Sequence, residues 1–161
     1  MKVLLTTLNA KYIHSSLALR YLEKYCAAEE AEIIIEEYTI NDRIENITND
    51  IYQKDVNMIG FSCYIWNITM VLEIADRLKK VKPDCVIILG GPEVSYDAED
   101  LLSKYPYIGY IITGEGEETL KDLIRCLSSS RSPIGIKGLV GRDVNGNIVE
   151  GKRPLIRNLD V

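Results

Sequence analysis

Four short stretches of this 161-residue chain gather residue types that can handle a ligand. The only histidine, His14, falls with Asn9 in LNAKYIHSS, where an imidazole can bond a metal or a polar group. SCYIWN places the Ser62 hydroxyl two positions from the Tyr64 ring. VIILGGPEVS stops an apolar run at Gly90, Gly91, Pro92 and Glu93. Adjacent glycines there signal a close approach to the backbone or a tight turn that needs positive φ. GEGEE brings Gly114, Glu115, Gly116 and Glu117 together, pairing exposed amides with carboxylates.

Several chemistries are excluded at once. There is no GxxxxGK[ST], and the first strand-to-helix turn contains no glycine, so the dinucleotide fingerprint is missing where it belongs. Acids in GEGEE oppose a phosphate cradle. His14 precedes two serines without a nucleophile elbow, so no Ser-His-Asp site emerges. The four cysteines are widely spaced with no CxxC pair, which argues against a zinc site or disulfide framework and for small buried hydrophobes. No catalytic residue and no metal ligand set is assigned.

The elements that must position these stretches are read from periodicity. Strand-like runs at 3–7, 33–37, 58–62, 86–89 and 108–113 alternate with amphipathic segments. Leu17, Tyr21 and Tyr25 share one face of the first helix and are expected to meet the core; Ile44, Ile47 and Ile51 do so on the second, and Met70, Ile74 and Leu78 on the third. Leu101 and Leu102 anchor a short fourth, and Leu120, Leu123, Ile124 and Leu127 form the stripe of the fifth. Asp42 with Glu45 resembles a capping box, Ser95 suits an N-cap, and Pro83 stops the third helix.

Strands alternating with helices imply right-handed crossovers and a parallel sheet covered on both faces. The expected fold is α/β: a flavodoxin-like (Rossmann-like), doubly wound, five-stranded sheet of order 2-1-3-4-5, spanning residues 1–130. Residues 131–161 are expected to form a connector and a small β-hairpin turning at Asn145-Gly146, as a piece of a longer chain. In such a sheet ligands bind beyond the carboxyl ends of the strands, where all four stretches fall.

Composition agrees with a globular domain: 47% hydrophobic, 27% charged, net charge −5. Dispersed basic residues offer no footprint for nucleic acid or anionic lipid. The amino terminus lacks a long apolar run, so a cytoplasmic location is expected.

Ser62 after the third strand, the glycine pair in ILGGPEVS, and YIITGEGEETLKDLI together resemble the N-terminal cobalamin-binding domain of B12-binding radical SAM proteins, the anaerobic magnesium-protoporphyrin monomethyl ester cyclase-like group among them. The resemblance spans about residues 1–128. It implies a corrinoid whose nucleotide tail enters a slot between the first and third strands, bounded by Ser62, Gly90, Gly91, Pro92 and Glu93. On this view the glycines spare the tail a clash, Gly114 to Glu117 serve its ribose-phosphate side, and Asn9, His14 and Tyr64 lie near the corrin. The Asp-x-His-x-x-Gly motif is absent, since Tyr12 and Leu17 replace its Asp and Gly, which implies base-off binding without a histidine ligand. The resemblance further implies that KRPLIRNLD leads into a missing radical SAM domain carrying S-adenosylmethionine and a 4Fe-4S cluster. The parent would be a B12-dependent cyclase or methyltransferase, and this segment alone non-catalytic. The alternative is a flavodoxin-like domain that binds flavin or another nucleotide, or a non-catalytic interaction module.

Overall fold

The computed structural model describes residues 1–11 and 15–151; His14 and the KRPLIRNLD stretch lie outside the described residues. The elements run β1 (Lys2–Asn9), α1 (Leu17–Cys26), β2 (Glu32–Thr39), α2 (Ile44–Gln53), β3 (Met58–Ser62), α3 (Ile68–Val81), β4 (Val86–Gly90), α4 (Ala98–Lys104), β5 (Tyr110–Ile112), α5 (Glu117–Ser128), β6 (Leu139–Arg142) and β7 (Ile148–Glu150).

The first five strands are parallel in the order β2-β1-β3-β4-β5, as expected. Six consecutive residues of β1, Val3 to Leu8, are buried because helices cover both sides. Leu4, Leu8, Ile59, Phe61, Ile87 and Leu89 face one layer under α2, α3 and α4. Val3, Leu5, Met58, Ile88 and Ile112 face the other, where α1 packs beside α5. Cys26, Cys63 and Cys85 are buried and unbridged, filling space as the sequence implies.

The C-terminal hairpin differs from expectation. It is no separate appendage: β6 pairs antiparallel with β5 and β7 with β6, making one seven-stranded mixed sheet. Tyr110 lies opposite Gly141, and a Cβ at 141 would stand 2.5 Å from its ring, so glycine there makes room for the aromatic that joins hairpin to sheet.

Local expectations divide in the same way. The stripes of α2, α3 and α5 meet the core through Ile47, Ile51, Ile74, Leu78, Leu120, Leu123 and Ile124. On α1 the reverse holds: Leu17, Tyr21 and Tyr25 are 70%, 64% and 41% exposed, and the buried face carries Leu19 and Cys26, with Leu22 packed against the same layer. Two apolar stripes share this helix, and periodicity does not say which one the sheet takes. Asp42 does not cap α2; its carboxylate accepts from Thr39 N at 2.7 Å, and Arg43 occupies the N-cap position. Nor does Ser95 cap α4, which starts after Asp97; its hydroxyl donates to the Gly91 carbonyl at 2.9 Å. Ser16 caps α1, accepting from Leu19 N.

Gly141→Val is expected to destabilise the chain by about 1–3 kcal/mol, the usual cost of overpacking. Urea melts followed by circular dichroism measure it; an unchanged midpoint would show that Tyr110 rotates away freely.

Candidate functional site

The order of the sheet reverses between β1 and β3, so the connections that leave their carboxyl ends cross to opposite faces of the sheet. Beyond the last ladder pair, Thr7 with Ser62, the carbonyls at these ends need other donors. Asn67, only 1% exposed, supplies them from the N-cap position of α3. Its amide nitrogen donates to the Leu8 carbonyl and to the Ser62 carbonyl, each at 3.1 Å. Its amide oxygen accepts from Tyr64 N at 2.8 Å. Trp66 donates its indole N–H to the Leu8 carbonyl at 3.2 Å and stacks on Tyr64, with ring centroids 4.6 Å apart and planes 3° from parallel. The loop SCYIWN is thereby fastened across both strand ends, with a flat aromatic pair on it.

The turn after β4 leans on this loop. Cys63 N donates to the Gly90 carbonyl at 2.7 Å, and Glu93 N donates to the Cys63 carbonyl at 3.4 Å. Gly91 has φ +104°, and a Cβ on it would stand 2.6 Å from the Cys63 carbonyl oxygen. Gly91 is therefore demanded by the protein's own backbone, a reason the sequence did not show. At Gly90 a Cβ would meet nothing nearer than 3.8 Å. Burial pushes the Cys63 thiol up to about 12, so it is held as a neutral hydrophobe and not as a nucleophile.

Next to these loops a cleft of about 240 Å³ runs between α1 and α5 over the sheet. Leu5, Gly60, Ile88 and Ile112 form its floor, and Ala18, Leu19, Leu22 and Leu120 its apolar walls. Ser62, Tyr64, Gly90, Gly91 and Pro92 line it on one side, and Gly114, Glu115, Gly116 and Glu117 on the other. Gly60 is the residue that sequence reasoning missed. A Cβ there would lie 3.0 Å from Leu5 and 3.3 Å from Ile88, so its absence deepens the floor. The signal was present, a glycine inside a buried strand. Ala18 contributes the same smallness from α1.

Two candidate residues point elsewhere. Asn9 donates to a Glu37 carboxylate oxygen at 2.7 Å, and Glu37 also accepts from Ser16 N at 2.9 Å and from the Ser15 hydroxyl. Asn9 thus ties the entry of α1 to β2. Glu93 is exposed and does not line the cleft. Neither cysteine, histidine nor lysine lines the cleft among the described residues, and no group of three metal-binding side chains occurs among them. No helix among them is long and apolar enough to cross a membrane. The arrangement suits a planar apolar group inserted edge-on, with carboxylates and glycine backbone at its polar end.

Comparison with known proteins gives the context. A family model described as "B12 binding domain" matches residues 3–124. The chain is 30% identical over 145 residues to the uncharacterized methyltransferase PH0819 of Pyrococcus horikoshii, covering 89% of this chain and 31% of that protein. It is 33% identical over 84 residues to the anaerobic magnesium-protoporphyrin IX monomethyl ester cyclase of Synechocystis sp., covering 52% of this chain and 17% of the relative. Its fold matches that of the radical S-adenosylmethionine methyltransferase TsrM from Kitasatospora setae, solved with cobalamin and a 4Fe-4S cluster, at TM-score 0.77 and 21% identity, over 99% of this chain and 30% of that one. The cobalamin-dependent S-adenosylmethionine radical enzyme OxsB, solved with aqua-cobalamin, matches at TM-score 0.79 and 22% identity, over 96% of this chain and 22% of that one. The chain spans less than a third of the length of each of these proteins.

Asn67→Ala is expected to cost about 1–3 kcal/mol, because it removes the acceptor of Tyr64 N and leaves the Leu8 and Ser62 carbonyls only their bonds from Trp66 and the Thr7 hydroxyl. Urea unfolding followed by Trp66 emission reads it. Gly91→Ala is expected to cost more than about 1 kcal/mol through its positive φ and the Cys63 contact, whereas Gly90→Ala leaves the midpoint nearly unchanged; equal effects at both positions would contradict the turn geometry.

Proposed function

This chain belongs to the B12-binding domain family, and we propose that it is the cobalamin-holding module of a B12-dependent radical SAM enzyme. The observation that carries the reading is the glycine-floored cleft between α1 and α5, which lies at the carboxyl ends of the strands inside the matched region.

The residues present fit the nucleotide tail of a corrinoid. Leu5, Gly60, Ile88 and Ile112 offer a floor without projecting polar atoms, against which an aromatic base can lie. Such burial is favourable in proportion to the apolar area removed from water, at roughly 25 cal/mol per Å². Ser62 and Gly90 stand at one side. Gly114 and Gly116 bring bare backbone to the other, where Glu115 and Glu117 would accept from hydroxyls and amides of the tail. The stacked Tyr64–Trp66 pair, locked by Leu8, supplies a rigid apolar surface next to the cleft for the macrocycle. Asn9 acts through Glu37 by holding the entry of α1, and so is a positioning residue. When bound, the corrinoid supplies a cobalt centre for methyl transfer or radical chemistry. This chain binds, orients and shields it, and leaves proton and bond chemistry to the catalytic domain of the parent protein.

The path of the chain supports that division. Because β7 is antiparallel to β6, it returns toward the carboxyl ends of the parallel strands. Gly138 N donates to the Gly151 carbonyl at 2.7 Å, and Thr113 N donates to the Gly138 carbonyl at 2.8 Å. Gly151 is thus two hydrogen bonds from the start of the GEGEE loop. The cofactor set of the parent then includes S-adenosylmethionine and a 4Fe-4S cluster held by that catalytic domain, in a cytoplasmic setting. A Cys-x-x-x-Cys-x-x-Cys in the polypeptide encoded beyond Val161 supports this; its absence from the whole parent removes the radical SAM assignment.

Hydroxocobalamin added to the purified chain is expected to bind with a shifted visible spectrum. Ala18→Trp, at an exposed helical position, fills the cleft and is expected to weaken binding at least about tenfold, or 1.4 kcal/mol, with the far-ultraviolet spectrum unchanged. Wild-type affinity in that variant would place the tail elsewhere. His14→Ala is expected to leave the electron paramagnetic resonance spectrum of the bound cob(II)alamin unaltered, without nitrogen superhyperfine splitting in either protein; a nitrogen splitting lost on substitution would make His14 the ligand.

A further inference from the structure

The two edges of the sheet are built differently. At one, β7 offers only three residues; at the other, β2 runs for eight, Glu32–Thr39, paired to β1 without a bulge and holding neither proline, glycine nor lysine. A long, regular edge of this kind is a template for another strand. Glu32 N and Ile40 N donate to the carbonyls of Met1 and Asn9 at the two ends of β1. Because backbone groups alternate in direction along a strand, the even-numbered residues of β2 face β1 and the odd-numbered ones face outward. The N–H and C=O groups of Ile33, Ile35 and Glu37 are therefore aimed away from the sheet, without a partner among the described residues. Thr39, the next in this series, is closed off locally: its N–H donates to the Asp42 carboxylate at 2.7 Å, and its carbonyl accepts from Asp42 N at 3.1 Å. Nor do free acids defend the edge, since Glu36 pairs with Lys54 at 3.2 Å and Glu37 with Arg20 at 3.9 Å.

We propose that the β2 edge pairs antiparallel with the same edge of a second copy of this chain, about a two-fold axis through Ile35. The side chains select that occupant and its register. An axis normal to the sheet keeps each residue on its own face, and for outward backbone groups to meet it must pass through an outward residue. Centred on Ile35, it sets Ile35 against Ile35, Ile33 against Glu37, Ile34 against Glu36 and Glu32 against Tyr38, so no like charges are opposed. Centred on Glu37, it would bring two carboxylates face to face; centred on Ile33, it would set Glu30 against Glu36 and Glu29 against Glu37. Like charges directly opposite are destabilising, so of the three outward residues only Ile35 serves as the centre. The outward groups of Ile33, Ile35 and Glu37 then exchange hydrogen bonds with those of the second copy. The two copies run in opposite directions, so their carboxyl strand ends point away from each other. The cofactor cleft, floored by β1, β3, β4 and β5, lies clear of the interface.

The test is sedimentation velocity on the purified 1–161 chain over a wide range of protein concentration, with amide hydrogen exchange read by nuclear magnetic resonance at both ends of that range. It needs no corrinoid, so its outcome is separate from the cofactor assignment. A closed dimer is expected to grow with concentration, and the amides of Ile33, Ile35 and Glu37 to exchange severalfold more slowly in it. Ile33→Glu opposes Glu37 of the other copy twice, whereas Ile33→Lys pairs with it twice. Both remove the same apolar side chain, so a difference between them reports cross-strand charge and not folding. The dimer dissociation constant of Ile33→Glu is expected to exceed that of Ile33→Lys by at least about tenfold, with circular dichroism verifying both folds. The exchange measurement uses the unaltered chain and stands even where a variant misfolds. A chain that stays monomeric at every concentration, assemblies larger than a dimer, a dimer whose three amides exchange as in the monomer, or equal dissociation constants for the two folded variants overturns the pairing.

Discussion

The arrangement hangs on one buried amide. A parallel sheet that grows outward from its centre sends the connections after two neighbouring strands to opposite faces, and beyond their last ladder pair the carbonyls need other donors. Asn67 bonds the carbonyls of Leu8 and Ser62 from the N-cap position just before α3 and accepts the Tyr64 amide in return. A side chain with two donors and an acceptor in one plane is what such a three-sided junction requires. Trp66 and Tyr64 are placed by the same junction, so the aromatic surface at the strand ends follows from it.

From that junction the other loops take their places in order. Cys63, held between Ser62 and Tyr64, presents backbone to the β4 turn, and only a glycine at 91 can approach it. With the turn pressed to that side, the space on the α1–α5 face stays open. Small residues keep it so: Gly60 in the floor and Ala18 on the wall leave a slot among side chains that would otherwise interlock. Both glycines of one sequence motif line the cleft, and only Gly91 is also required by the protein's own packing.

The hairpin has a structural and a topological consequence. It adds two antiparallel strands to a parallel sheet through the Tyr110–Gly141 pair, so β5 is no longer an edge. It also turns the chain back to the carboxyl ends of the strands, bringing Gly151 next to the loop that lines the cleft. A single excursion therefore protects the sheet and returns the polypeptide to the ligand side.

Much of this was legible in the residues. Buried runs such as VIIL and the alternation with amphipathic segments determined five βα units, and the placement of ligand-type residues after the strands determined which end would be the functional one. The motifs SCYIWN, GGPEVS and GEGEE did come together, because each follows a strand of the same sheet. What the tertiary structure alone decided are the choices that local pattern leaves degenerate. Periodicity on α1 offers two apolar stripes, and contact with β1, β3 and α5 selects Leu19, Leu22 and Cys26 over Leu17, Tyr21 and Tyr25. A glycine's reason for being is set by whatever stands opposite it, which for Gly91 is Cys63, 28 positions away, and for Gly60 is the gap between Leu5 and Ile88. Asn9 reads as a loop residue until Glu37 of a neighbouring strand takes its amide. In each case the deciding neighbour is distant in sequence, and only the packing of the sheet and its helices brings it within range.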